Sequence, residues 1–139
     1  MDTTEPKAAM LRPDDLPTAA RPGGGSSTRC VSRACGAKAL LNGFTDIPPG
    51  AKIPVHYHDC EESVMVVAGE AVAEVGDEAF GLRAGDVTWI PAGLAHRFRN
   101  PSAETVLRIF WTYASAEATR TMVESGETHS VDSEHAEAR

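Results

Sequence analysis

His56, His58, Glu62 and His96 stand out by type and spacing. Imidazole nitrogens and a carboxylate oxygen form a complete donor set for a divalent transition metal. The first three lie between Gly50 and Gly69, and the fourth follows the turn Pro91-Ala-Gly93. Side chains two apart on an extended chain share a face, so His56, His58, Cys60 and Glu62 have one parity. Glu62 can reach the same ion as the two histidines from their strand or after a turn. His96 has to come from a neighbouring strand. Four protein donors in an octahedral shell leave two positions for water, substrate or dioxygen, as catalysis at a metal needs.

The segments that must carry these residues are short and apolar or alternating. They run from Ala39 to Phe44, Ser63 to Ala68, Ala71 to Val75, Ala79 to Leu82, Val87 to Ile90, His96 to Arg99 and Val106 to Tyr113. Turn residues separate them: Pro48-Pro49-Gly50, Gly69-Glu70, Gly76-Asp77, Gly85-Asp86 and Asn100-Pro101. Asn42-Gly43 is either a turn or part of a strand. Many short strands at even spacing predict an all-β sandwich or barrel. Residues 1–28, with four prolines and Gly23-Gly24-Gly25, read as a flexible arm. Residues 29–114 read as the barrel. Residues 115–139 read as a short helix over Ser115 to Glu124, capped by Ser115 and stopped near Gly126, and then a loose polar tail.

Composition narrows the function. The chain has 139 residues, 42% of them hydrophobic and 6% aromatic, enough for one core built mainly of Val, Ile, Leu and Ala. A net charge of -7 argues against nucleic acid and against an anionic membrane surface. The longest apolar run, Val64 to Ala68, is far short of a bilayer span. The N-terminus lacks the apolar stretch of a secretory signal, and three cysteines form neither a disulfide framework nor a zinc ribbon. A reducing cytoplasm is the expected location.

The two histidine segments resemble the paired motifs of the cupin superfamily. Gly50, His56, His58, Glu62 and Gly69 match the first motif, and Gly85, Pro91, Gly93, His96 and Asn100 match the second, with the family's spacing throughout. The resemblance covers roughly residues 36 to 113, and the stretch between the motifs is short, as in small single-domain cupins. It implies an antiparallel double-sheet jelly roll with a metal in the barrel mouth, bound by His56, His58, Glu62 and His96. Iron(II) is the first expectation for that metal, with manganese, zinc, nickel or copper as alternatives. The resemblance also implies a homodimer, often formed in such proteins by exchange of an N-terminal strand, a role open to the arm before Cys30.

The fold alone does not name a reaction. Three classes are open: a mononuclear iron dioxygenase, which is slightly favoured; a non-redox isomerase, decarboxylase or polyketide-type cyclase; and a non-catalytic cupin that binds a small molecule or metal. The intact ligand set favours an enzyme acting on a small-molecule substrate. No general base is identified; Cys60 and Glu61 are weak candidates, and Cys60 reads more readily as a small buried filler. Glu61 has the wrong parity for a ligand. Trp89, Phe98, Phe110 and Trp111 read as core or interface, Arg97 and Arg99 as a solvated face, and His129 and His135 as tail residues without a metal role.

Overall fold

A computed structural model describes residues 6–136, with side chains described through His135. The first five residues of the expected arm and the last three of the expected tail lie outside that range. Twelve strands form two antiparallel sheets of six. In chain order they are β1 Thr18–Ala20, β2 Ser26–Arg29, β3 Leu41–Ile47, β4 His56–His58, β5 Glu62–Ala68, β6 Glu70–Val75, β7 Glu78–Arg83, β8 Val87–Ile90, β9 His96–Arg99, β10 Leu107–Tyr113, β11 Thr119–Met122 and β12 Thr128–Ser130. A helix, α1, follows at Val131–Ala136. One sheet runs β1-β2-β3-β10-β5-β8 and the other β12-β11-β4-β9-β6-β7. The expected jelly roll is what the chain forms.

The core lies between the sheets because inward residues alternate along the central strands. On β3 these are Leu41, Gly43, Thr45 and Ile47; on β10 they are Leu107, Ile109, Trp111 and Tyr113. Val64 and Val66 of β5 face Ala71 and Ala73 of β6 and Phe98 of β9 within one cluster. Full burial of Leu41, Ile47, Ile90 or Leu107 stabilises the fold by roughly 1.5–3 kcal/mol each. Two glycines are required by close approach. Gly43 lies within β3; a methyl group there would meet the Thr28 carbonyl oxygen at 2.3 Å and the Trp111 ring at 2.7 Å. Gly69, at φ 86°, turns the chain from one sheet to the other, and a methyl there would meet the Val106 carbonyl oxygen at 2.7 Å.

Three expectations at the ends of the chain need correction. Residues 18–29 are not a free arm: β1 and β2 form a hairpin around Gly23–Gly25, and β2 pairs with β3 of the same chain from Ser26↔Asp46 to Arg29↔Gly43. Its small polar residues, with Ser27 and Thr28 buried, carry no hydrophobic period to announce it. The expected short C-terminal helix forms at Val131–Ala136 and not over Ser115 to Glu124, where Thr119–Met122 is a strand. Ser115 Oγ does accept the Glu117 N–H, but within a turn. Strand β4 needs a partner on that side, and β11 supplies it with Arg120↔His58 and Met122↔His56 in register. Finally, residues 127–136 are not a loose tail. Val131 is fully buried, and Asp132 of α1 pairs with Arg29 while Glu134 pairs with Arg21.

Candidate metal centre

The second sheet carries all three imidazoles. His56 and His58 are the two inward positions of β4, and His96, on β9, pairs directly with His56. Glu62 opens β5 in the first sheet, after the bend at Asp59 and Cys60, and faces the histidines across the barrel. Asp59 accepts the Thr119 N–H at 2.8 Å, tying this bend to β11. Asn100, the last residue of the second motif, donates to the carbonyls of Ile47 and Thr105 and so closes the loop after β9.

All four side chains are buried, at 2–5% exposure. The three imidazole nitrogens aimed at a common point lie within 4.8 Å of one another. Each ring donates its Nδ1 proton to a backbone carbonyl: His56 to Pro54 at 2.7 Å, His58 to Thr119 at 2.9 Å and His96 to Leu94 at 2.8 Å. A carbonyl oxygen carries no proton, so each ring donates through Nδ1 and turns its Nε2 atom inward. Glu62 Oε1 lies 3.0 Å from His96 Nε2 and 3.5 Å from His58 Nε2. His58 Nε2 has no hydrogen-bond partner among the described residues.

Lone pairs so close together, away from water, repel unless a positive charge lies among them. A proton is a poor answer for two of the rings. Burial, reinforced by the Arg120 charge, holds His56 well below the usual imidazole range. Burial also lowers His58 to about 4, against the opposing pull of Glu62. Burial of Glu62 raises its pKa, but the His96 hydrogen bond and the nearby imidazoles outweigh this and leave it lowered, so the carboxylate stays ionised. Two imidazoles held neutral, and a third bonded at 3.0 Å to an anionic carboxylate, are a donor set that fits a first-row divalent cation.

The cluster opens onto a cavity of about 270 Å³. Its walls are mostly apolar: Ile53, Phe98, Ile109, Trp111, Tyr113 and Met122. Trp111 Nε1 donates to Thr45 Oγ1 at 2.7 Å, which holds the indole plane. Burial and the Glu62 charge raise the Tyr113 phenol well above its ordinary value, so it remains protonated. Arg120, Arg21, Glu134 and His135 close the polar side. From sequence His135 reads as a tail residue and the other three are not singled out, because they come from terminal segments without a hydrophobic pattern. Arg120 alone left a local signal, as a charge between threonines at strand spacing.

Cys60 and Glu61 lie outside the cavity wall. Cys60 is half-buried against the core, and burial raises its thiol pKa. Glu61 is exposed and accepts the Trp89 Nε1 proton at 2.7 Å. Phe98 and Trp111 are buried and line the cavity, whereas Trp89 is 66% exposed. Arg97 and Arg99 both pair with Glu74.

Residues 43–113 match the family described as "Cupin domain". Protein SchB of Streptomyces halstedii is 36% identical over 98 residues, which span 70% of this chain and 71% of that protein. Polyketide synthase CurC of Streptomyces cyaneus is 32% identical over 111 residues, spanning 79% of this chain and 71% of that protein. Among solved structures, the polyketide cyclase RemF of Streptomyces resistomycificus superposes with a TM-score of 0.71 at 17% identity, over 90% of this chain and 86% of RemF. A predicted oxalate decarboxylase from Thermotoga maritima superposes at 0.67 with 24% identity, over 77% of this chain and 99% of its own. These two likenesses are of fold.

Proposed function

This chain belongs to the cupin family, and from that premise and the shape of its cavity we propose a metal-dependent, non-redox enzyme that closes or isomerises a small polyketide-type substrate. The observation that carries the reading is the buried cluster of His56, His58 and His96, with Glu62 Oε1 within 3.5 Å of two of its Nε2 atoms, at the end of a largely apolar cavity. We assign these four residues as the metal ligands. A divalent cation held there supplies Lewis acidity at a substrate carbonyl. Trp111 and Phe98 offer flat faces to an aromatic or polyketo body, and the apolar wall excludes water from it. The Tyr113 phenol keeps its proton, and the three backbone-anchored Nδ1 bonds hold the rings in place through turnover.

Oxygen chemistry at iron(II), slightly favoured from the motifs alone, becomes the second reading. Its support is the donor set, which suits iron as well as zinc. The CurC relative is named a polyketide synthase, which supports polyketide chemistry instead. The two separate by experiment: chelator-stripped protein is reloaded with zinc or with iron(II) and offered poly-β-keto thioester mimics. Ring closure with zinc, without oxygen uptake, is the expected result. Turnover that requires iron and consumes dioxygen overturns it.

We propose a homodimer as well. The outer face of the first sheet exposes Met65, Val67, Val87 and Trp89 close together on β5 and β8, an apolar patch suited to a second copy. Light scattering should then return twice 14.8 kDa, and a monomer mass counts against it. Among the described residues no helix is long and apolar enough to cross a membrane.

A further inference from the structure

Arg120 is buried to 9% exposure, yet it lacks the partners that a structural arginine of that burial normally has. Its hydrogen bonds among the described residues come to one long contact, from NH1 to His56 Nε2 at 3.5 Å. Its Nε has none. Glu134 Oε2 lies 3.4 Å from that Nε without making a hydrogen bond, and the same carboxylate is already bonded by Arg21 at 3.0 Å through Oε1. One carboxylate therefore faces two guanidinium groups, and it cannot neutralise both. The imbalance grows if the histidine cluster takes a divalent cation. Glu62 is then committed to the ion, and the one contact of Arg120 is surrendered because His56 Nε2 becomes a ligand.

We propose that Arg120, backed by Arg21, is an anion-recognition element of the cavity. It takes the acidic oxygen of the substrate, an enolate, phenolate or carboxylate on an aromatic or polyketo body. Strand pairing puts Arg120 opposite His58 on adjacent strands of the second sheet. An oxygen held by its fork therefore lies beside the metal cluster, and the apolar body extends over Trp111 and Phe98. Glu134 limits the positive charge and holds the guanidinium groups in position. The inference rests on the reading of the cavity as a small-molecule site, but not on the metal's chemistry.

The test is calorimetric titration with 4-hydroxybenzoate and its neutral isostere 4-hydroxybenzamide, in chelator-stripped and zinc-loaded protein. The wild type should prefer the acid by roughly tenfold or more in both forms, and more strongly with zinc, as expected for a charge-assisted hydrogen bond. Arg120→Gln should erase the preference, weakening the acid far more than the amide. Arg120→Lys should retain part of it, because the charge survives without the planar fork. Glu134→Gln should tighten the acid and leave the amide alone, a change opposite in sign to a loss of structure. Equal affinities in the wild type, an acid preference that survives Arg120→Gln, or equal weakening of both compounds in Glu134→Gln would each overturn the proposal. If circular dichroism shows Arg120→Gln unfolded, the Lys and Glu134 variants decide. Zinc uptake and turnover without an acid preference sinks this inference alone. An Arg120-dependent preference in a protein that never turns over with any metal sinks the cyclase reading alone.

Discussion

Replacement of His58 by Ala should lower divalent-metal affinity by at least about a hundredfold, since loss of even an outer partner of a ligand costs ten- to a hundredfold. Metal content by mass spectrometry after dialysis is the check, and full retention would remove His58 from the ligand set. Thr45 permits a test independent of the metal. Thr45→Val leaves the Trp111 indole N–H buried without an acceptor, and urea unfolding should show a loss of about 1–3 kcal/mol. At this scale the sequence was most legible at the four candidate ligands, because their parity and the surrounding glycines and prolines are local signals. Glu134 was not legible, and Arg120 only through its place between two threonines. Each is an ordinary surface residue by type, and only the folding of distant strands turns them inward.

Elements explain both the successes and the errors of the sequence reading. Most of the strands from Ala39 to Tyr113 announced themselves because they bury one alternating face between the sheets, whereas the largely exposed β7 was marked by the glycine turns that flank it. Strand β11 did not, because its alanine-rich approach resembles a helix and the need of β4 for a partner is a tertiary fact. Strand β3 must let the Trp111 ring lie against its backbone, so Gly43→Ala should destabilise by about 1–3 kcal/mol through overpacking and shift tryptophan emission. An unchanged denaturation midpoint would show that the strand can yield. Helix α1 should respond to acid through His135. Its ring donates Nδ1 to the Val131 carbonyl and accepts a hydrogen bond from Ser27 Oγ. Burial lowers its pKa below the ordinary 6.5. An unfolded His135 therefore binds a proton first as pH falls, so its contribution is complete above pH 6.5 and declines below it. Urea midpoints of wild type and His135→Gln should differ less at pH 5 than at pH 7.5; a constant gap would contradict this.

For the molecule as a whole, the proposed ligands join the two sheets: three on the second and Glu62 on the first. A cation bound there would act as a cross-link between the halves of the barrel. At free metal a hundred times the dissociation constant it adds about 2.7 kcal/mol to stability, on the order of 10 °C in Tm. Scanning calorimetry with and without chelator measures this, and coincident transitions would argue against the site. The outer wall of the pocket carries a different consequence. Its bonds span nearly the full chain, with sequence separations of 113 between Arg21 and Glu134 and 108 between Ser27 and His135. Contacts so distant along the chain have the highest closure entropy and form late. As the polypeptide leaves the ribosome, every imidazole of the cluster emerges well before Arg120, Glu134 and His135, which close the polar side of the pocket, so small-molecule binding should report that folding has run to completion.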